Sequence, residues 1–389
     1  MVEYNPFARS TIDNPYPIYR QLRDEAPAYR NEEIGFWAIS RFDDVMAAHL
    51  DTATYLSSHG ITIEGIDQGL PFLIVKDPPE HTWHRKIVSR VFTPRRIGDL
   101  EPFIRTTAAD LLDRHRGAGR FDVASDFAVL LPLSVISELI GIPEELRDDV
   151  HAISDRVLQP SEAGVPPADA IAAQGELHGL LYSLVQDRRR HPKGDVLTLL
   201  LTTEVEDDDG TSRSLGDEEL AYRMLELAFA GHETVAKLIP NGVVALAWYP
   251  DQRRELVADP SLLGQAVEEM LRWDPPSHLQ GRWTSRPVEL HGVTIPADQR
   301  VVLLTAAATH DERRFTKPEL FDIHRPIERH VSFGFGAHLC LGAALARLET
   351  RVAFEELLGR FPEYGLAETG VERAYSGGVR GLRHCPLDV

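Results

Sequence analysis

Cysteine is almost missing from this sequence: Cys340 and Cys385 are the only two in 389 residues. They could pair with each other, but two thiols make no disulfide framework for so long a chain, so at least one is expected to have another task. Long apolar runs are missing too. The most apolar stretch, FAVLLPLSVISELIGIP at residues 127–143, contains Pro132 and Ser134 and is too short to span a bilayer. The opening MVEYNPFARSTIDNPYPIYRQLRDEAP has no basic start followed by an apolar segment, so no signal peptide is expected and the location expected is cytoplasmic. Basic excess is absent as well: 41 Lys and Arg stand against 60 Asp and Glu, a net charge of −19. That argues against a nucleic-acid partner, whose phosphates call for clustered cations, and against docking on anionic lipid. No repeat, low-complexity block or Gly/Ser-rich linker divides the chain, and one domain over residues 1–389 is the simplest expectation.

What is present is helix. Hydrophobic residues make up 43% of the chain, enough for a large core. Residues 216–250 read as one long helix, with Ser214 as its cap and acids in its first turn. Pro240, inside it, should remove one backbone hydrogen bond and bend the chain. Residues 260–276 read as a second helix capped by Ser261 and stopped before Pro275. After Cys340, Leu341, Leu345, Leu348 and Val352 keep helical spacing up to Gly359 and Pro362. Strand signals are fewer: GFWAIS near the start, then PVELHGVTIP and RVVLLTAAA. The Pro-containing residues 158–170 are expected to form a loop between helices. The fold class expected is mainly α with a smaller β part.

Cys340 stands in FGFGAHLCLG, residues 333–342. A phosphate-binding G-x-G-x-x-G would need glycine where Leu339 stands, and no apolar strand precedes it. A zinc site would need paired Cys and His ligands, and only His338 is near. A buried structural thiol is the bland alternative. The setting favours more: Cys340 just before a helix meets free N–H groups and a positive dipole end, which suit a thiolate. Gly334 and Gly336 allow backbone to approach something flat, and Phe333 and Phe335 can keep the sulfur dry. A shielded thiolate of this kind suits a haem iron with one axial cysteine.

The stretch resembles the cysteine-ligand loop of the cytochrome P-450 family, F-x-x-G-x-x-x-C-x-G, through Phe333, Gly336, Cys340 and Gly342, and ALARLE continues it as in soluble bacterial members. The resemblance implies a single P-450-like domain with haem b between a long central helix and the helix after the cysteine loop. Cys340 would be the axial iron ligand, with Phe333, Gly334 and Gly342 around it. Further motifs follow in chain order. Glu269 and Arg272, three apart on one helix face, would in isolation be a surface ion pair; the family's E-x-x-R makes them, with Arg325, a buried structural network. His81 and Arg85 would in isolation be an exposed basic turn; the family's H-x-x-x-R, together with Arg282 and His338, implies four contacts to the haem propionates.

The remaining signature is AGHETV, residues 230–235. Thr234 can bond back to the carbonyl of Ala230 and distort the helix. By resemblance Ala230 and Gly231 would face the haem, and Glu233 and Thr234 would be the acid–alcohol pair that handles protons during O2 activation. His232 and Lys237 are expected at solvent or a side channel. The activity implied is that of a haem-thiolate monooxygenase placing one oxygen atom from O2 in an apolar small molecule, by hydroxylation or epoxidation. Electrons would come from a separate ferredoxin and its NAD(P)H-dependent reductase, docking near Arg347 and Arg90. No membrane anchor is expected, and a monomer is. The alternatives are a haem-thiolate enzyme that uses peroxide or catalyses a rearrangement, and a non-catalytic haem sensor. Thr309 and His310 replace a more usual Asn-Arg, and Val235 a frequent second threonine.

The substrate pocket implied is formed by residues 58–74, 158–170, Ala230 and its neighbours, 277–280, and the turn at Gly377 and Gly378. Its composition suggests an uncharged, apolar molecule such as a terpenoid, fatty acyl chain, steroid or polyketide.

Overall fold

The computed structural model describes residues 2–63, 71–157, 167–206, 210–376 and 378–389. Its axis is the helix Asp217–Trp248, 32 residues or roughly 48 Å long at ~1.5 Å per residue. Three acids in its first turn oppose the positive dipole end. The cap lies at Gly216 rather than at Ser214: the Gly216 N–H donates to the Glu219 carboxylate at 2.8 Å. The helix runs on through Pro240 without ending there. Near it, Gly242 allows close packing; a Cβ at that position would lie 2.7 Å from the Met270 sulfur and 2.8 Å from Phe354.

Met270 belongs to the helix Leu263–Trp273 and Phe354 to the helix Ala343–Arg360. The first of these also starts differently from expectation. A 3-10 turn, Pro260–Leu262, precedes it, and the Asp259 carboxylate, not Ser261, caps that turn by accepting from the Ser261 N–H at 3.1 Å. Buried Leu, Val, Ile and Phe side chains from these three helices and from Leu130–Ile140 form one continuous core.

The β part is a five-stranded sheet in the order Ala28–Asn31, Phe36–Ile39, Arg300–Leu303, Gln280–Thr284, Tyr55–Leu56. Phe36–Ile39 pairs in parallel with Arg300–Leu303, and the other neighbours are antiparallel. Strand 300–308 was too long an expectation: it stops at Leu303, and Thr305–Ala308 is a short helix. Gln280–Thr284, not read as a strand from sequence, pairs antiparallel with Arg300–Leu303 and Tyr55–Leu56, and Gly281 lets a further backbone come close. Its N–H reaches the Ile61 carbonyl at 2.6 Å, and a Cβ would lie 2.8 Å from the Ile61 carbonyl carbon. Residues 288–290 and 293–295 form the expected hairpin.

Residues 158–166 of the expected loop fall outside the described residues, as do 64–70 and Gly377 of the expected pocket. Both cysteines are free. Among the described residues no helix is long and apolar enough to cross a membrane.

Candidate active site

A cavity of about 590 Å³ lies between the long helix and the cysteine loop. Cys340 is on its wall, in a loop closed by the Cys340 N–H to the Phe333 carbonyl at 2.8 Å. Gly334 and Gly336 adopt φ of +67° and +68°, which L side chains rarely tolerate. Gly336 also passes so near the helix Phe42–Leu50 that a Cβ would lie 2.8 Å from the His49 carbonyl oxygen. The helix after the loop starts at Ala343, later than expected. Burial raises the Cys340 thiol pKa, opposed by the Gly342 N–H and by Arg85 and Arg347. A bound metal ion would oppose that shift and favour the thiolate. Phe333 lines the cavity, whereas Phe335 lies under the Arg329 guanidinium, 4.8 Å from its ring centre.

One side of the cavity is cationic. His81 and Arg85 reach it from the helix Glu80–Val88, Arg282 from the strand Gln280–Thr284, and His338 from the turn before Cys340. Neither ring nitrogen of His81 has a partner among the described residues. Its ring lies 4.1 Å, centre to centre, from that of His338. Burial pushes His81 down to about 4 and His338 down to about 2, with neighbouring arginines adding to both. Among the described residues, buried Arg282 donates to the carbonyl of the preceding Gly281 alone, and burial brings it down to about 10. The acid that acts on it, Asp77, already accepts from the Ser57 and Ser58 N–H groups at 2.7 and 3.1 Å. Four donors without a protein carboxylate, beside a cavity-facing sulfur, fit a flat dianionic cofactor whose iron takes the thiolate.

Across the cavity are Ala230, Gly231, Glu233 and Thr234 of the long helix. Thr234 Oγ1 donates to the Ala230 carbonyl at 3.1 Å, as its position suggested. Gly231 has a packing reason that the sequence did not reveal: a Cβ would lie 2.8 Å from Ile136 Cδ1 on the neighbouring helix. Burial raises the Glu233 pKa, and Lys237 opposes the shift. His232 corrects its expectation of solvent exposure. It is buried, Nε2 has no partner among the described residues, and burial lowers it to about 4.

Other cavity residues were not anticipated. Arg223 and Glu226 form an ion pair at 2.7 Å on the long helix. Glu226 also accepts from the N–H groups of Leu73 and Ile74, at 2.8 and 2.9 Å. The i,i+3 spacing of Arg223 and Glu226 is the signal in the sequence that could have found this pair. His49 and Glu349, from the helices Phe42–Leu50 and Ala343–Arg360, also line the cavity. Behind the cavity, Glu269 meets Arg272 and Arg325 in the buried network implied by resemblance. Arg347, proposed from sequence for docking, is tied to Glu268 at 2.5 and 2.9 Å, while Arg90 is exposed.

The family model for Cytochrome P450 matches residues 169–363. Cytochrome P450 123 of Mycobacterium tuberculosis is 38% identical, covering 99% of this chain and 96% of its own. Vitamin D(3) 25-hydroxylase of Pseudonocardia autotrophica is 40% identical, over 99% of this chain and 96% of its own. Among solved structures, P450BioI in complex with hexadec-9Z-enoic acid ligated acyl carrier protein matches at 33% identity with a TM-score of 0.87, covering 97% of this chain and 98% of that one. The chain belongs to the cytochrome P450 family, and with it come the P450 fold, a haem held by a cysteine thiolate, use of O2 and monooxygenase activity. Bacterial members draw their electrons from redox partners.

Proposed function

We propose that this enzyme inserts one oxygen atom from O2 into an apolar small molecule held in the 590 Å³ cavity, by hydroxylation or epoxidation. The observation behind this reading is that Cys340 and the Glu233–Thr234 pair share one cavity. When bound, haem supplies reductive activation of dioxygen and oxygen transfer. Cys340 would hold the haem iron through its sulfur. His81, Arg85, Arg282 and His338 hold the haem carboxylates through charge-assisted hydrogen bonds. Phe333, Gly334 and Gly342 shape the loop around the sulfur, and Ala230 and Gly231 keep the opposite wall low.

Thr234 and Glu233 are the catalytic pair. The Thr234 proton is committed to the Ala230 carbonyl, so its free lone pairs accept a hydrogen bond from a water in the cavity. Glu233, its pKa raised by burial, keeps a proton nearer neutral pH than an ordinary carboxyl and passes it to that water. A separate ferredoxin with an NAD(P)H-dependent reductase supplies two electrons at the cysteine face, where Arg90 is exposed. The chain acts in the cytoplasm as a monomer and folds as one domain. Leu73, Ile74, Leu227 and Leu279 make an apolar surround for the substrate, and Arg223 with Glu226 adds one charged edge. A steroid-like or fatty acyl molecule suits this lining, in keeping with the vitamin D(3) and acyl carrier protein relatives.

The test is the spectrum of the reduced protein with carbon monoxide. A thiolate-type, red-shifted Soret band is expected, and Cys340→Ser should lose it while keeping the fold. Folded, haem-loaded protein without that band would sink the assignment. Spin-state titrations against sterols, fatty acids and acyl carrier protein conjugates then address the substrate.

A further inference from the structure

His49 is a histidine with nothing to do in the protein alone. It stands near the end of the helix Phe42–Leu50, 3% exposed, and neither ring nitrogen has a hydrogen-bond partner among the described residues. A buried imidazole carries one N–H donor and one acceptor, and leaving both unmade is unfavourable. An apolar residue would fill the same space without that cost. The ring is on the cavity wall, on the side of the cationic cluster. Arg282 acts on it electrostatically, and His49 in turn acts on His338. Among the described residues no carboxylate acts on it; burial and Arg282 together bring it down to about 3.

Its place is fixed by the cysteine loop. A Cβ on Gly334 would lie 3.6 Å from His49 Cε1, and one on Gly336 would strike the His49 carbonyl oxygen. Two glycines with positive φ thus bring the loop against this one helical turn. The Nδ1 edge of the ring also faces the loop, 3.9 Å from the same Gly334 Cβ position, so the ring is wedged between the loop and the cavity it lines.

We propose that His49 is a fifth donor to the carboxylate edge of the cofactor, beside Arg282 and His338. This rests on the reading of the cavity as the haem site. A bound carboxylate supplies the acceptor that His49 lacks and a charged one that Arg282, bonded to the Gly281 carbonyl, can share. His49 is then a binding residue that fixes the seating of the haem, with no part in the oxygen chemistry.

The experiment follows haem transfer from the holoenzyme to excess apomyoglobin, for wild type, His49→Phe and His49→Gln. Phe keeps a ring of similar bulk without a donor, and Gln restores a donor. Haem loss is expected to quicken about tenfold in H49F and to return most of the way in H49Q. The same transfer is measured for proteins reconstituted with haem dimethyl ester, which lacks free carboxylates; there H49F and wild type should match. Equal acceleration with haem and with its ester would show packing alone and overturn the proposal, as would an H49F that holds haem as tightly as wild type. A wild type with no thiolate-type band would instead fail the reading of the site, a separate result.

Discussion

Arg272 and Glu269 meet through two charge-assisted hydrogen bonds, of 2.6 and 2.7 Å, with both side chains wholly out of solvent. The remaining guanidinium N–H groups donate to the carbonyls of Thr309, Pro318 and Leu320, and Arg325 adds a bond to the same carboxylate at 3.2 Å. Removing one partner strands the other charge in the core, at about 3–5 kcal/mol. Arg272→Ala and Glu269→Ala are therefore expected to give little haem-loaded protein and a sharply lowered melting temperature. Both being far from the acid–alcohol pair in role, any folded fraction should show the wild-type spin shift with ligand. A stable Arg272→Ala holoenzyme would refute the structural role.

Thr234→Ala removes the one hydroxyl that faces the cavity beside Glu233 while leaving the Ala230 carbonyl free. The expected result is a protein that folds, binds haem and consumes reducing equivalents, but releases peroxide in place of product. Product per NAD(P)H should fall about tenfold or more, since positioned proton transfer contributes ~10²–10⁴ to a rate. Thr234→Ser should recover most of it. Product and peroxide assays under electron supply decide the matter; unchanged coupling in Thr234→Ala would favour peroxide-driven or rearrangement chemistry.

Sequence and structure part company where side chains meet across long distances in the chain. The cysteine loop was legible because its glycines, phenylalanines and thiol occupy ten consecutive positions. The cationic wall was legible only through the resemblance, since His81, Arg282 and His338 converge from elements far apart and each alone looks like a surface residue. His49 gave no signal: a single histidine on an amphipathic helix reads as ordinary packing. His232 misled for the opposite reason, its polar side chain suggesting solvent when the helix buries that face. Helix caps slipped by two residues because Glu219 and Asp259 outcompeted the nearer serines for the free N–H groups. Gly231 shows how a residue can suit two needs, its backbone on the cavity and its missing Cβ making room for Ile136.

Glu226 ties the segment around Leu73 and Ile74 to the long helix, at 2.8 and 2.9 Å from their N–H groups. Glu226→Ala deprives both N–H groups of their acceptor and Arg223 of its partner. Each lost bond to a charged acceptor is worth about 1.5–3 kcal/mol. Faster cleavage near residues 71–75 in limited proteolysis is expected, with faster entry and exit of a spin-shifting ligand in stopped flow. Equal proteolysis and equal ligand rates in the two proteins would show that the segment is held by its other contacts.

Glu349 lies on the cavity wall from the helix Ala343–Arg360, 1% exposed, with Oε2 unpartnered among the described residues. Burial raises its pKa well above 4.5, and no cation opposes the shift. Burial thus favours the protonated form in the native state more than in the unfolded chain. For such a group the stabilising contribution is complete below the unfolded pKa of about 4.5 and is lost as pH rises through the folded value. Wild type should lose stability with rising pH through this residue, and Glu349→Gln, which carries no ionisable proton there, should not. The difference in melting temperature, variant minus wild type, is expected to grow as pH rises above about 5. A constant offset between the two melting curves would mean that Glu349 is ionised in the native protein, held by a partner that binds with the cofactor or with water. A growing one would identify a neutral carboxylic acid on the cavity wall, able to donate a hydrogen bond where an ordinary glutamate only accepts.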